Sequence, residues 1–439
     1  MSRRRRLKWN FTAAFVGKVV SVCNQVLLVP LFLYAWGSEY YGIWLLLSAI
    51  PSFLSMSNVG VGTAANTEIV LAIGQGNERK ANRVLGSAWL FIVVIGCVVA
   101  TVIMVAHALG FGVDLFGSNQ SLVSGHSRII LVLFASVIVM MMRQPLEGFW
   151  TARKKASNAM FFGAAASAGE LAACAVVLMF SGPAEALAMT ILGARTLALI
   201  AFFIASRRYV DLRLPLTPDL SLVRSLLGRG MGFQLSVLWQ AILFQGSLFL
   251  AQGVLGPAGV ATWGTIRTLS RSGNQLLALI NQAIMPELQN EIAVDNLTDA
   301  KRIYHAGIRV AFGAGLAVAL PMSVVGGPFY TFWTGGTLSV TPWIWPIMAI
   351  GLVLNAVWLT SDLVQQALNR PWYSSSCGLA SAIISVAVMY VAGLQFGILG
   401  FATGAVVFEA LMAFAIPRRS LQLLNQSTTP QNGVVASAA

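Results

Sequence analysis

The sequence predicts an all-α integral membrane protein: about twelve transmembrane helices in two pseudo-symmetric six-helix lobes around a central cavity. Three observations carry that expectation. Hydrophobic residues make up 57% of the 439 residues and charged residues 10%, and the mean hydropathy is +0.76, well outside the range of a water-soluble domain. Apolar stretches of about 20 residues, each able to cross a hydrocarbon core of about 30 Å as a helix, recur along the whole chain. A short motif near the start is also repeated half a chain later.

In order, the spans fall at roughly 10–35, 41–71, 84–110, 129–150, 158–181 and 185–206, then at roughly 232–254, 259–283, 304–326, 342–362, 373–394 and 397–416. The basic residues test that count, because cytoplasmic loops hold the excess of Lys and Arg. With the amino terminus inside, the cytoplasmic segments carry Arg3 to Arg6 and Lys8, then Arg79, Lys80 and Arg83, then Arg153 to Lys155. Further along they carry the arginines between 207 and 229, Lys301 and Arg302, Arg370, and Arg418 with Arg419. The outer loops carry only Arg128, at the edge of a span. Both termini are therefore expected in the cytoplasm.

The net charge of +13 reads as this topology, spread loop by loop over one face toward anionic lipid head groups, and not as a nucleic-acid footprint. SRRRRLK at the start has the look of a twin-arginine export signal. A long span containing Lys18, Asn24 and Gln25 follows it, however, with no small-residue cleavage site.

The repeat sets the lobes. WGSEYYGIW at 36–44 is echoed by LGPAGVATW at 255–263, with Gly37 matching Gly256 and Trp44 matching Trp263. Each copy sits at the outer turn between the first two helices of a six-helix set, which predicts two lobes related by an axis along the membrane normal. The expected division is a first lobe at 1–206, a cytoplasmic linker at 207–230, a second lobe at 231–418 and a disordered cytoplasmic tail at 419–439. Within the linker, Thr217 is a plausible cap, Pro218 opens a turn, and Leu220, Val223 and Leu227 share a face, as in an amphipathic helix on the inner leaflet.

Catalytic machinery is not visible. Cys23, Cys97, Cys174 and Cys377 lie far apart, each within a span, which favours small-hydrophobe packing over a disulfide or metal site. His107, His126 and His305 are scattered too, and no zinc-helix, phosphate-loop or nucleophile-elbow spacing occurs. No enzyme, metal or cofactor is expected.

What stands out is charge inside the spans. Arg267, Ser270, Arg271 and Asn274 fall on one face of the eighth span, with Gln275 at its edge. Arginine at mid-membrane costs about 2.5–3.5 kcal/mol on insertion scales, so such residues line a pathway or answer a counter-charge. Lys18, Ser21 and Gln25 share a face of the first span. Lys18, Arg195, Arg267, Arg271, Gln25 and Asn274 are therefore the candidate lining of a cationic cavity that handles something anionic. The alternatives are that Lys18 snorkels to the interface and that each arginine pairs with a carboxylate on another helix. Glu170 and Arg195 lie at equal distances from the SGPA turn at 181–184, so an antiparallel hairpin sets them at similar depth as an ion pair or a switch. Arg143 and Glu147 read as a local pair. Glu170, Asp362 and Glu409 are the candidates for coupling to a proton or sodium gradient, the latter two toward the cytoplasmic ends of their helices. The runs GAAASAG at 163–169 and Gly400 to Gly404 suggest close helix packing.

VPLFLYAWGSEYYGIWLLLS, SNVGVGTAANTEI and the loop GNERKANR, with LGPAGVATW and IMPEL in the second half, resemble the Wzx-type polysaccharide (O-antigen) flippase family of the multidrug/oligosaccharidyl-lipid/polysaccharide (MOP) exporter superfamily. The likeness covers most of the chain in topology but only short segments in sequence. It implies a MATE-like fold and translocation of undecaprenyl-diphosphate-linked oligosaccharide across the bacterial inner membrane, for O-antigen, capsule or exopolysaccharide synthesis. It also implies membrane lipids and a polysaccharide polymerase with its co-polymerase as partners. Asn58 and Ala261 depart from the acidic residue and glycine the family often carries there, so no particular sugar follows. Other readings are a multidrug exporter, which calls for cavity carboxylates, or a lipid II exporter of the same superfamily. A membrane glycosyltransferase or ligase is the remaining one, for which the longest outer loops offer only Asp114 and His126.

Overall fold

The computed structural model describes residues 3–57, 59–108, 126–210, 219, 235–294, 296–368, 370 and 372–425. The expected linker helix apart from Asp219, most of the outer loop at 111–127, Asn58, and the chain beyond Asn425 fall outside these.

The described chain is helical almost throughout. α1 (Arg3–Ser57), α2 (Val59–Gly74), α3 (Glu78–Ala108), α4 (His126–Ala152), α5 (Ala156–Met179) and α6 (Ala184–Tyr209) form the first set. The second set opens with α7 (residues 235–241), which runs through a π-helical turn at Ile242–Gly246 into α8 (Ser247–Ala293). α9 (Leu297–Trp333), α10 (Ile344–Ala367), α11 (Trp372–Phe396) and α12 (Ile398–Asn425) complete it. Among the described residues ten helical stretches are long and apolar enough to cross a membrane, and the protein is a multi-pass membrane protein.

Two of those stretches are hairpins. Gly37 (φ 70°, ψ −179°) and Gly256 (φ 71°, ψ −177°) leave helical geometry at matching places in the repeat. That backbone region is open essentially to glycine alone. In an unbroken helix Phe32 and Trp44 would stand about 18 Å apart along the axis, yet their rings lie 6.0 Å apart. Likewise the Trp263 indole N–H reaches Ser247 Oγ at 3.1 Å across a separation that a straight helix would stretch to about 24 Å. With these two reversals the expected twelve crossings are accounted for, and the repeat seen as letters is a repeat of backbone conformation.

The two sets meet chiefly through α1 against α8. At the corner end, where both glycines lie, a Cβ placed on Gly42 would sit 1.9 Å from the Pro257 carbonyl oxygen, so the two copies of the repeat touch backbone to backbone. Leu46, Leu47, Ala261 and Trp263 share one apolar core there. Deeper, Trp333 Nε1 donates to the Val26 carbonyl (2.8 Å) and Gln275 Nε2 to Gln25 Oε1 (3.0 Å). At the opposite end, Asp219 of the linker is fastened to α3: its amide N–H donates to Ser87 Oγ (2.8 Å), and Arg83 stands 3.8 Å from its carboxylate. Gly400 and Gly404 let α12 lie on α11 at backbone distance, against Ala392 and Met389.

One boundary is corrected. α12 does not end near Arg418 but continues to Asn425, because Leu423 and Leu424 pack with Leu288, Tyr304 and Leu363 and Ser420 Oγ donates to the Ser361 carbonyl at 2.7 Å. The start of the supposed tail is thus part of the second set's core.

Candidate functional site

The larger cavity, about 800 Å³, lies within the second helix set and borders α1. It runs from Gln366, near the end of α10, to Trp263, a few residues past the corner at Gly256. One wall is cationic. Arg267, Ser270, Arg271 and Asn274 line it from a single face of α8, and Lys18 joins them from α1.

The π-turn is what holds this wall. Widening the helix to i→i+5 frees backbone carbonyls, and such turns recur at functional sites. Here the Phe244 carbonyl accepts from Arg267 Nη1, and Ser247 Oγ accepts from the same nitrogen at 2.9 Å. Ser247 also accepts from Trp263 Nε1 and donates to the Phe244 carbonyl (3.3 Å), so its one donor and two acceptor sites are all used. The Phe244 ring lies against both guanidinium groups, 5.6 Å from that of Arg267 and 4.4 Å from that of Arg271. Its π-face offsets part of their charge. Arg267 is half-buried, while Arg271 is exposed. Among the described residues, no carboxylate comes within 4.0 Å of either arginine. Like charges one turn apart repel, and this pair is fixed by an aromatic face and a carbonyl in place of a counter-ion. Two such guanidinium groups can receive an anion by charge-assisted hydrogen bonds.

A second wall, from α10 and α12, is acidic and aromatic. Glu409 Oε2 accepts from Trp358 Nε1 (2.6 Å) and Asn355 Nδ2 (3.1 Å), and Asp362 Oδ2 accepts from Gln366 Nε2 (2.8 Å). Both carboxylates line the same cavity as the arginines. Asp362 does lie toward the end of α10. Glu409 does not lie toward the inner end of its helix: the extension of α12 to Asn425 leaves it near the middle, level with Asn355.

Arg195, Gln25 and Glu170 are placed elsewhere, in a smaller cavity of about 360 Å³ between α1, α4, α5 and α6. Arg195 grips Glu170 through Nε (3.1 and 3.2 Å) and Nη2 (2.9 Å), and gives Nη1 to Ser136 Oγ (3.2 Å). Of the two expectations for Arg195, this geometry is the ion pair. The Gln25–Gln275 amide pair stands between the cavities, Gln25 facing the smaller and Gln275 the larger. Arg143 and Glu147 form the local pair anticipated for them, at 3.2 Å.

Phe244, Ser247, Trp239, Asn355 and Trp358 were not among the sequence candidates. The π-turn follows no helical period, so nothing in the spacing marks Phe244. Asn355 and Trp358 carry a signal only in hindsight, as polar-capable groups at i and i+3 in an apolar span. Among the described residues no cluster of His, Cys, Asp and Glu is arranged to hold a metal ion.

A family model described as MatE matches residues 20–169. No curated protein matches the chain. Among solved structures, an inward-facing multidrug resistance MATE family transporter of the MOP superfamily superposes with a TM-score of 0.71 at 17% identity, covering 95% of this chain and 97% of the other. An outward-facing multidrug resistance MATE family transporter of the MOP superfamily gives 0.66 at 16%, covering 95% of each chain. A MOP superfamily transporter from Pyrococcus furiosus, whose binding pocket is described as of reverse polarity, suggesting a different function, gives 0.69 at 14%, covering 97% and 96%. The chain has the fold of these transporters.

Proposed function

We propose that this chain is an alternating-access transporter whose substrate is an anionic amphiphile, with undecaprenyl-diphosphate-linked oligosaccharide as the substrate class. The observation that carries this reading is the cationic wall: Arg267 and Arg271, with Lys18 lining the same space and no carboxylate among the described residues within ion-pairing distance. Two guanidinium groups one turn apart match the paired phosphates of a diphosphate, which accept bidentate hydrogen bonds. The lipid tail stays in the bilayer while the head group occupies the cavity. The α1–α8 contact at the corner end closes one side, and loading is from the other, the side of the linker and of Gln366. On this reading Arg195 is structural, and Lys18 steers the anion toward the wall.

The test is translocation of a fluorescent undecaprenyl-diphosphate oligosaccharide in proteoliposomes, comparing the wild type with the Arg267→Ala/Arg271→Ala double variant. Wild-type movement that is lost in a correctly inserted variant supports the reading. Full activity in the variant removes the cationic wall from the mechanism.

A second reading, multidrug export, is favoured by Asp362 and Glu409 lining the same cavity and by the family model and structural likenesses. Efflux of lipophilic cations that depends on these two carboxylates and is indifferent to the two arginines would establish it over the first.

A further inference from the structure

The acidic wall leaves part of its capacity to accept hydrogen bonds unspent. Asn355 and Asp362 are each 8% exposed; Asp362 takes hydrogen bonds from Gln366 and Ser374, but among the described residues Asn355 Oδ1 and Asp362 Oδ1 have no partner. Glu409 receives its two side-chain donors on Oε2 alone. Both of the buried, unpartnered atoms, Asn355 Oδ1 and Asp362 Oδ1, are acceptors. Beside them Trp239 lines the cavity half-buried, stacked 5.1 Å from Phe408 and edge-on to Trp358 at 6.4 Å. A ligand that completes this wall must bring hydrogen-bond donors together with an apolar face that lies on an indole.

We infer that Trp239, Asn355, Asp362 and Glu409 form a sugar subsite, taking the hydroxyl groups of a pyranose next to the diphosphate wall. The inference rests on the diphosphate reading above and assigns the other end of the same substrate. A pyranose fits the requirement because its ring carbons expose C–H groups on one face while its hydroxyls donate around the rim. Carboxylate and amide oxygens take those donors, and the indole takes the face. An organic ammonium ion shares the donor chemistry but not the need for the amide acceptor. The two are separated below by their dependence on charge.

Binding is measured on the full chain in detergent with two probes: a short-chain polyprenyl diphosphate, and the same lipid carrying an N-acetylhexosamine disaccharide on its diphosphate. The sugar is expected to raise affinity at least tenfold in the wild type. Trp239→Ala and Asn355→Leu are expected to erase that increment and leave affinity for the bare diphosphate unchanged. Trp239→Phe keeps the packing on Phe408 and should retain part of it. An affinity that the sugar does not raise overturns the subsite while leaving the diphosphate wall standing. So does an increment that both variants keep. Competition by tetraphenylphosphonium that disappears in Glu409→Gln assigns the wall to cations and overturns the sugar assignment. Failure of both probes to bind the wild type overturns the diphosphate reading, and the subsite with it.

Discussion

Gly42→Ala adds one methyl group at the point where the two copies of the repeat touch. The new Cβ would lie 1.9 Å from the Pro257 carbonyl oxygen, 2.7 Å from its carbon and 3.3 Å from its Cα. Carbon–oxygen contacts settle at about 3.3–3.6 Å, so the corner of α8 must retreat by about 1.4 Å. All three obstructing atoms are backbone, and no rotamer change relieves them. Overpacking of this kind costs about 1–3 kcal/mol. That cost is borne only while the corner end is closed, so it shifts the balance toward the opened corner by roughly 5- to 150-fold, at about 1.4 kcal/mol per tenfold. The assay is a distance distribution between spin labels at Glu39→Cys and Phe332→Cys, both exposed positions, with the four native cysteines replaced. Gly42→Ala is expected to move population from the short distance to a longer one. An unchanged distribution in a folded, monodisperse variant would refute the idea that this contact sets the closure.

Ser247→Ala strips Arg267 and Trp263 of a shared partner; leaving a buried donor unmet costs about 1–3 kcal/mol, to be read as a lowered melting temperature in detergent. Glu170→Gln and Arg195→Gln should each destabilise by on the order of 2 kcal/mol while the double variant loses much less than the sum, because removing one member of the pair strands the other; a double-mutant cycle on thermal stability measures this. Gly256→Ala forces a side chain into positive-φ backbone and should cost about 1–3 kcal/mol. Gly253→Ala, with nothing within 4 Å of the added methyl, should leave the melting temperature unmoved.

Much of this was legible in the sequence because a membrane restricts what a chain can do. Helix number followed from hydropathy, and the matching corners from one nine-residue echo. The α8 wall followed from arginines at i and i+4 in an otherwise apolar span. The Glu170–Arg195 pair followed from two equal distances to a turn. Other features had no such periodicity behind them. A π-turn inserts its register shift without a sequence signature, so the anchoring of Arg267 by Phe244 and Ser247 came only with coordinates. The depth of Glu409 is hidden in the sequence because Arg418 and Arg419 mimic the end of a helix that in fact runs on to bury Leu423 and Leu424. Periodicity places Gln25 on the face of Lys18 but does not tell which helix that face meets at each depth. The Gln25 amide meets Gln275 and divides two cavities.

Among the described residues, no ion pair joins the two helix sets; they meet through uncharged contacts such as Gln25 to Gln275, Val26 to Trp333, Phe53 on Phe249, and Gly42 on Pro257. The ion pairs among the described residues lie within the first set or tie it to the linker. Ionic strength therefore has nothing to grip at the closure, whereas the attraction of an anion toward Arg271 from solution weakens as the Debye length contracts from about 10 Å at 0.1 M salt to about 3 Å at 1 M. Added salt should slow loading and leave the opening equilibrium where it was, which makes a simple buffer series a means of telling the two steps apart.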